Sequence, residues 1–124
     1  MSRQAVVETE VEAKCSDTLK DAVKVACTMV NGVQVDTVRY YPGTVLGIRA
    51  GHIEVGVVVG ANGKITFVGE DVHLNSEIGR KIQGLVLKNY SSIAFAKTLR
   101  KMGFRVTETK GDYGVKNKTV GVRA

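Results

Sequence analysis

Apolar and polar positions alternate from residue 4 to residue 12. Ala5, Val7, Thr9 and Val11 fall on one side, and Gln4, Val6, Glu8, Glu10 and Glu12 on the other. A period of two predicts a half-buried strand with an acidic outer face. The period then lengthens. Leu19, Ala22, Val23, Ala26, Met29 and Val30 form one stripe, with Lys20, Asp21 and Lys24 outside it. That spacing predicts an amphipathic helix of about four turns. Ser16 or Asp17 is its expected N-cap, and Asn31-Gly32 its expected end.

Residues 33–40 are rich in β-branched side chains and read as a strand. Tyr41-Pro42-Gly43 predicts a type II turn, with Pro fixing one central residue and Gly supplying the positive φ of the next. Val45 to Ala50 is a short strand broken by Gly51, and Ile53 to Val59 is a buried one. Asn62-Gly63 predicts a type I′ hairpin, because both residues tolerate positive φ. Ile65 to Val68 is the expected partner strand.

A long helix is expected over residues 76–102, capped by Asn75 or Ser76. Ile78, Ile82, Leu85, Ile93, Phe95, Ala96, Leu99 and Met102 cover a broad arc, and Val86 and Leu87 widen it. A helix apolar almost all round predicts deep burial or a subunit interface. Tyr90, Ala94, Lys97 and Lys101 form the expected exposed stripe. Gly103 ends the helix. Strands follow from Phe104 to Lys110 and from Val115 to Val122, joined by a turn at 111–114. The order β-α-β-β-β-β-α-β-β predicts one α+β domain over residues 1–124. Its mostly antiparallel sheet carries two helices on one face.

This arrangement resembles a small uncharacterised protein family of cyanobacteria, chloroplast genomes, some bacteria and phages. The matching residues are Val6 to Glu12, Leu19 to Ala26, Val55 to Val68 with Asn62-Gly63, Tyr90 within the long helix, and Lys101-Met102-Gly103-Phe104-Arg105-Val106. The chain departs from that family in lacking its Trp residues and its aromatic-rich segment before the long helix. The resemblance implies the architecture and no function.

Composition narrows the class. At 124 residues and 44% hydrophobic, the chain is too apolar for disorder. Two Cys cannot make a disulfide scaffold. The longest apolar run, Val55 to Gly60, is far short of the ~20 residues that span a bilayer. The opening residues carry no signal-peptide pattern. The expectation is a soluble cytoplasmic protein with no membrane partner. Its net charge of +6 is unevenly distributed. Residues 1–75 hold seven basic and nine acidic side chains, net −2; residues 76–124 hold eleven basic and three acidic, net +8. A basic half suits phosphate-bearing ligands, nucleic acid or an acidic surface on another copy.

No motif supplies a reaction. His52 and His73 lack metal-ligand spacing, and Cys15 and Cys27 fit no zinc signature. Cys27 reads as a core thiol, His52 as a turn residue, and Glu70-Asp71 as a solvated loop. No nucleophile elbow, P-loop or dinucleotide fingerprint occurs. We therefore expect no enzymatic activity, no cofactor and no metal. Binding is the stronger reading, since Arg and Lys recognise phosphates and aromatic rings stack on bases. Candidate ligand-binding residues are Arg39, Tyr40, Tyr41 and Arg49 in one cluster and Tyr90, Lys97, Lys101 and Arg105 in another. Tyr113, beside Lys110 and Lys116, is a further aromatic-basic site. The leading expectation is a non-catalytic protein that captures a small anionic, phosphate-bearing ligand, such as a nucleotide or cyclic-nucleotide signal. It would work as a homo-oligomer, in the manner of a phage-type sponge. Nucleic-acid binding and an accessory subunit role are the alternatives. In the latter, Glu8, Glu10 and Glu12 face the basic half of a neighbouring copy.

Overall fold

The computed structural model describes the backbone of residues 3–110 and 116–123 and the side chains of residues 3–103. Ten elements follow in order: β1 (Gln4–Glu12), α1 (Ser16–Met29), β2 (Val33–Val35), β3 (Leu46–Ala50), β4 (Ile53–Val59), β5 (Lys64–Glu70), α2 (Asp71–Leu74), α3 (Glu77–Lys101), β6 (Phe104–Lys110) and β7 (Lys116–Arg123). The first five strands form one antiparallel sheet in the order β1-β5-β4-β3-β2, and β6 and β7 form a separate two-stranded sheet. The class is α+β, as expected. The order differs by the extra turn of helix α2, and the strands divide between two sheets.

Alternation sorts the large sheet into two faces. Ile48, Val55, Val57, Ile65 and Phe67 share one face and pack against Leu19, Ala22, Val23 and Ala26 of α1 and Ile82, Val86 and Tyr90 of α3. Each such large apolar side chain contributes roughly 1.5–3 kcal/mol on full burial. Cys27 lies in this core, as expected. The other face is covered over β3–β5 by the segment between β2 and β3. Val38 and Val45 from that segment pack on Val68, flanked by Val35, Tyr41 and Val58. Gly56 permits the approach, because a Cβ there would meet Val68 Cγ2 at 2.9 Å and Val38 Cγ2 at 3.0 Å.

Several local expectations change. Strand β2 stops at Val35 rather than at residue 40, because the chain leaves the sheet there to cover that second face. Its return is closed by Val45 N donating to Asp36 O at 2.9 Å. Gly43 takes φ +98°, the value a Pro-Gly turn requires. The hairpin at Asn62-Gly63 is not type I′. Only Gly63 has positive φ, after a turn in which Gly63 N donates to Gly60 O at 2.9 Å. Asn62 instead uses its side-chain oxygen to accept Lys64 N at 3.0 Å. Helix α1 is capped by Cys15, not Ser16 or Asp17. Asn31, not Gly32, takes the left-handed position after it, with φ +51°. Gly32 is needed for proximity, since a Cβ there would lie 2.9 Å from Arg49 O.

Helix α3 begins as expected, with Ser76 Oγ accepting Gly79 N at 2.9 Å. Its buried face is rotated from the expected one. Ile82, Val86, Asn89, Tyr90 and Ala96 are buried, whereas Ile78, Phe95 and Met102 are exposed. Buried Asn89 donates to Leu85 O at 2.8 Å and to Met29 Sδ at 3.5 Å. Leu85, Leu87 and Ile93 pack on the protein's own core, so the apolar middle of the helix is largely covered within the chain.

The two helical glycines give opposite expectations. Helix propensity alone favours Ala over Gly at both positions. A Cβ on Gly79, however, would run into the His73 carbonyl, while one on Gly84 meets nothing within 4 Å. Gly79→Ala is expected to destabilise by about 1–3 kcal/mol through overpacking. Gly84→Ala is expected to stabilise by about 0.5–1 kcal/mol. Urea unfolding midpoints that move in the same direction would contradict the packing of α2 on α3.

Candidate functional site

Strand β2 is only three residues long, so the sheet edge beyond it is open. Helix α1 crosses above this edge, and a cavity of about 700 Å³ lies between them. Lys20, Val23 and Lys24 of α1 form one wall, and Gln34, Val35, Asp36 and Thr37 form another. Val45, Leu46, Gly47 and Arg49 of β3 and the segment before it, with Glu54 of β4, complete it. Lys20 and Lys24 are four residues apart and so lie on one side of the helix. Arg49 and Glu54 are direct cross-strand partners. Gly47 keeps this part narrow in backbone, since a Cβ there would meet Val35 Cγ2 at 2.7 Å and Val35 O at 2.8 Å. Three cations and two carboxylates therefore line an open space of ligand size.

Of the candidate residues, Arg49 alone lines this cavity. Arg39 and Tyr40 are exposed on the covering segment, where the Arg39 guanidinium sits 5.0 Å from the Tyr40 ring centroid. Tyr40 has φ +70°, which costs a bulky L-residue about 1–2 kcal/mol. Tyr41 is half-buried against Val38, Val45 and Val68. Tyr90 is not on an exposed stripe. It is 5% exposed, and its hydroxyl accepts Lys14 N at 2.9 Å. The rotation of α3 carries this residue into the core. The same rotation leaves Lys97 half-buried, donating to Thr18 Oγ1 at 2.7 Å. Lys101 is exposed at the helix end. The side chain of Arg105 and the residue Tyr113 lie outside the described residues. The expected clusters thus separate: Arg49 joins a cavity, Tyr90 and Lys97 join structural contacts, and Arg39 and Tyr40 pair with each other.

Two further groups were not apparent from sequence. Glu70 is buried rather than in a solvated loop, and its Oε2 lies 3.3 Å from His73 Nε2. His73 Nδ1 accepts Glu54 N at 3.3 Å. With Nδ1 accepting from an amide and Nε2 turned to Glu70, both ring nitrogens are engaged. The pair therefore ties β4, β5 and α2 together. His52 is an exposed turn residue, as expected, with its ring edge-on to His73 at 6.1 Å between centroids. Only a buried environment reveals this pair, because Glu70 and His73 in sequence look like ordinary surface residues.

The second group is at the start of α1. Cys15 is exposed and occupies the N-cap position without closing a side-chain capping bond. The nearby Thr18 hydroxyl and then its amide favour the thiolate, with a smaller contribution from Lys97. They hold the Cys15 thiol below its ordinary pKa, whereas burial pushes the Cys27 thiol up. The thiolate is the nucleophilic form. Iodoacetamide at neutral pH is therefore expected to label Cys15 first, with Cys27 reacting only on unfolding. Thr18→Val should slow the first labelling. Peptide mapping that finds Cys27 modified first, or both at equal rates, would contradict these environments.

Among the described residues no group of three or more His, Cys, Asp or Glu could hold a metal ion. No helix among them is long and apolar enough to cross a membrane. No protein-family model, no curated protein and no solved structure matches the chain.

Proposed function

We propose that the protein is a non-catalytic binding protein for a small phosphate-bearing ligand, of the nucleotide or cyclic-nucleotide class. The supporting observation is the cavity of about 700 Å³ whose lining includes Lys20, Lys24 and Arg49. Its volume falls within the several hundred Å³ typical of small-ligand sites. Phosphate oxygens suit the three cations, with Arg49 able to bind two of them at once. Asp36 and Glu54 would repel a phosphate, so they suit the hydroxyl and amino groups of the same ligand. Gln34 and Thr37 add neutral hydrogen-bonding groups. A bare phosphate would meet the two carboxylates without using them. A molecule with phosphate at one end and donors at the other uses both sets.

Such a protein would serve as a cytoplasmic carrier or sponge for its ligand. Membership in the small family that the chain resembles is a separate proposal. It is supported by Tyr90 within the long helix and by the Gly103-Phe104 exit from it. It assigns no function.

Isothermal titration with a panel of mononucleotides and cyclic dinucleotides tests the binding proposal. Saturable heat is expected for at least one member. A hydrogen bond to a charged partner is worth about 1.5–3 kcal/mol, so Arg49→Ala should weaken binding by about ten- to a hundredfold. Lys101→Ala, at the exposed end of α3, should leave it unchanged. Absence of heat across the panel, or equal loss in both variants, would overturn the assignment of this cavity.

A further inference from the structure

Among the described residues strand β1 pairs with β5 alone, which leaves one edge of its nine-residue backbone without a partner strand. An open strand is a template for another strand unless something blocks it. β1 carries Glu8, Glu10 and Glu12 and no basic residue, and these three are exposed. Lys64 meets Glu10 at 2.8 Å and Lys14 meets Glu12 at 3.9 Å, both exposed pairs. Such pairs contribute only ~0–1 kcal/mol. Acidic residues at period two disfavour pairing β1 with β1 of another copy, because like charges would stand opposite each other. They favour a basic strand.

The chain contains one. Strand β7 is eight residues long and carries Lys116, Lys118 and Arg123 with no acidic residue. Among the described residues it pairs with β6 alone, so it too has an edge without a partner strand. The β6–β7 hairpin packs against α3 on its own chain. We propose that the open edge of β1 pairs antiparallel with β7 of a second copy of this chain.

The sequence supplies a register. Setting Glu8 opposite Lys118 places Glu10 opposite Lys116 and Val6 opposite Val120. Val6 is 54% exposed, and this register sets an apolar position opposite it. β1 is regular from Gln4 to Glu8 and shifts register against β5 between Glu8 and Glu12. The apolar and first charged pairs therefore fall on its regular half. Two copies that exchange this contact close as a two-fold dimer, and more copies close as a ring. The assembly joins the two sheets of different copies through one edge of each.

Light scattering coupled to gel filtration tests this at low and high salt. The expected result is an oligomer at low salt that dissociates towards monomer at high salt. Two charge-reversed chains sharpen it, Glu8→Lys with Glu10→Lys, and Lys116→Glu with Lys118→Glu. Each alone should be monomeric, an equimolar mixture should assemble, and a chain carrying all four changes should assemble by itself. A variant that merely misfolds is not rescued by mixing, and circular dichroism identifies it. A wild-type monomer at low salt would overturn the proposal. So would an oligomer whose mass survives both reversals, which would place the interface elsewhere, including at a β1–β1 contact.

Discussion

The fold depends on where β1 docks. It pairs with β5, the last strand of the meander, and not with β2, the strand that follows it in sequence. Strands β1 and β2 thus occupy opposite edges of a five-stranded sheet. Four inter-strand spacings make about 19 Å. The fourteen residues of α1 make about 21 Å at 1.5 Å per residue. The helix is just long enough to carry the chain from one edge to the other. Its start is tied near α3, where Lys97 reaches Thr18 and Tyr90 reaches the Lys14 amide. Its later turns lie over β2 and β3, which brings Lys20 and Lys24 to the cavity. The same pairing leaves β1 at an edge. Cavity and open strand are two consequences of one topological choice.

The second face of the sheet needs a cover because no helix reaches it. The segment between β2 and β3 serves, and its close approach requires Gly56. Covering the sheet from that side draws residues 36–45 away from β2, which ends the strand early and opens the wall holding Asp36 and Thr37. Tyr40 accepts an unfavourable φ in the same segment. The apolar contacts of Val38 and Val45 on either side hold the chain in place against that cost. Packing, rather than local preference, sets the cavity's shape.

Much of this was legible in the sequence. Strand β4 coincides with its expected span, the break at Gly51 occurs, and Ser76 caps α3. These signals are local, and nothing distant competes with them. The errors arise where a long-range contact wins. The face of α3 was misread because its buried stripe passes through Asn89, while Phe95 and Met102 lie outside it. Hydrophobic period cannot identify a buried amide that finds its own acceptor at Leu85 O. Tyr90 and Lys97 then appeared exposed when both are tied to α1 and its approach. At the candidate site only Arg49 was recognisable. Lys20 and Lys24 looked like the solvated side of an amphipathic helix, and no periodicity shows that this side overhangs a sheet edge.

That outcome changes what the uneven charge means. Lys20, Lys24 and Arg49 all belong to the half of the chain with net charge −2. Among the described residues the cavity draws no cation from the half with net charge +8. An anionic ligand in that cavity would leave the basic surplus unused. Tyr90 and Lys97, two of the four residues of that half expected to bind a ligand, are engaged within the chain, while Lys101 is exposed away from the cavity. The remaining cations include Lys116, Lys118 and Arg123 on a strand with an open edge, while the acidic residues of β1 lie on another. On the two proposals made above, the charge imbalance separates into two uses. A few exposed cations lining the cavity beside α1 and β3 suit a ligand, and a basic strand suits an acidic one of similar reach. The two sets share no residue, so each proposal can fail without the other.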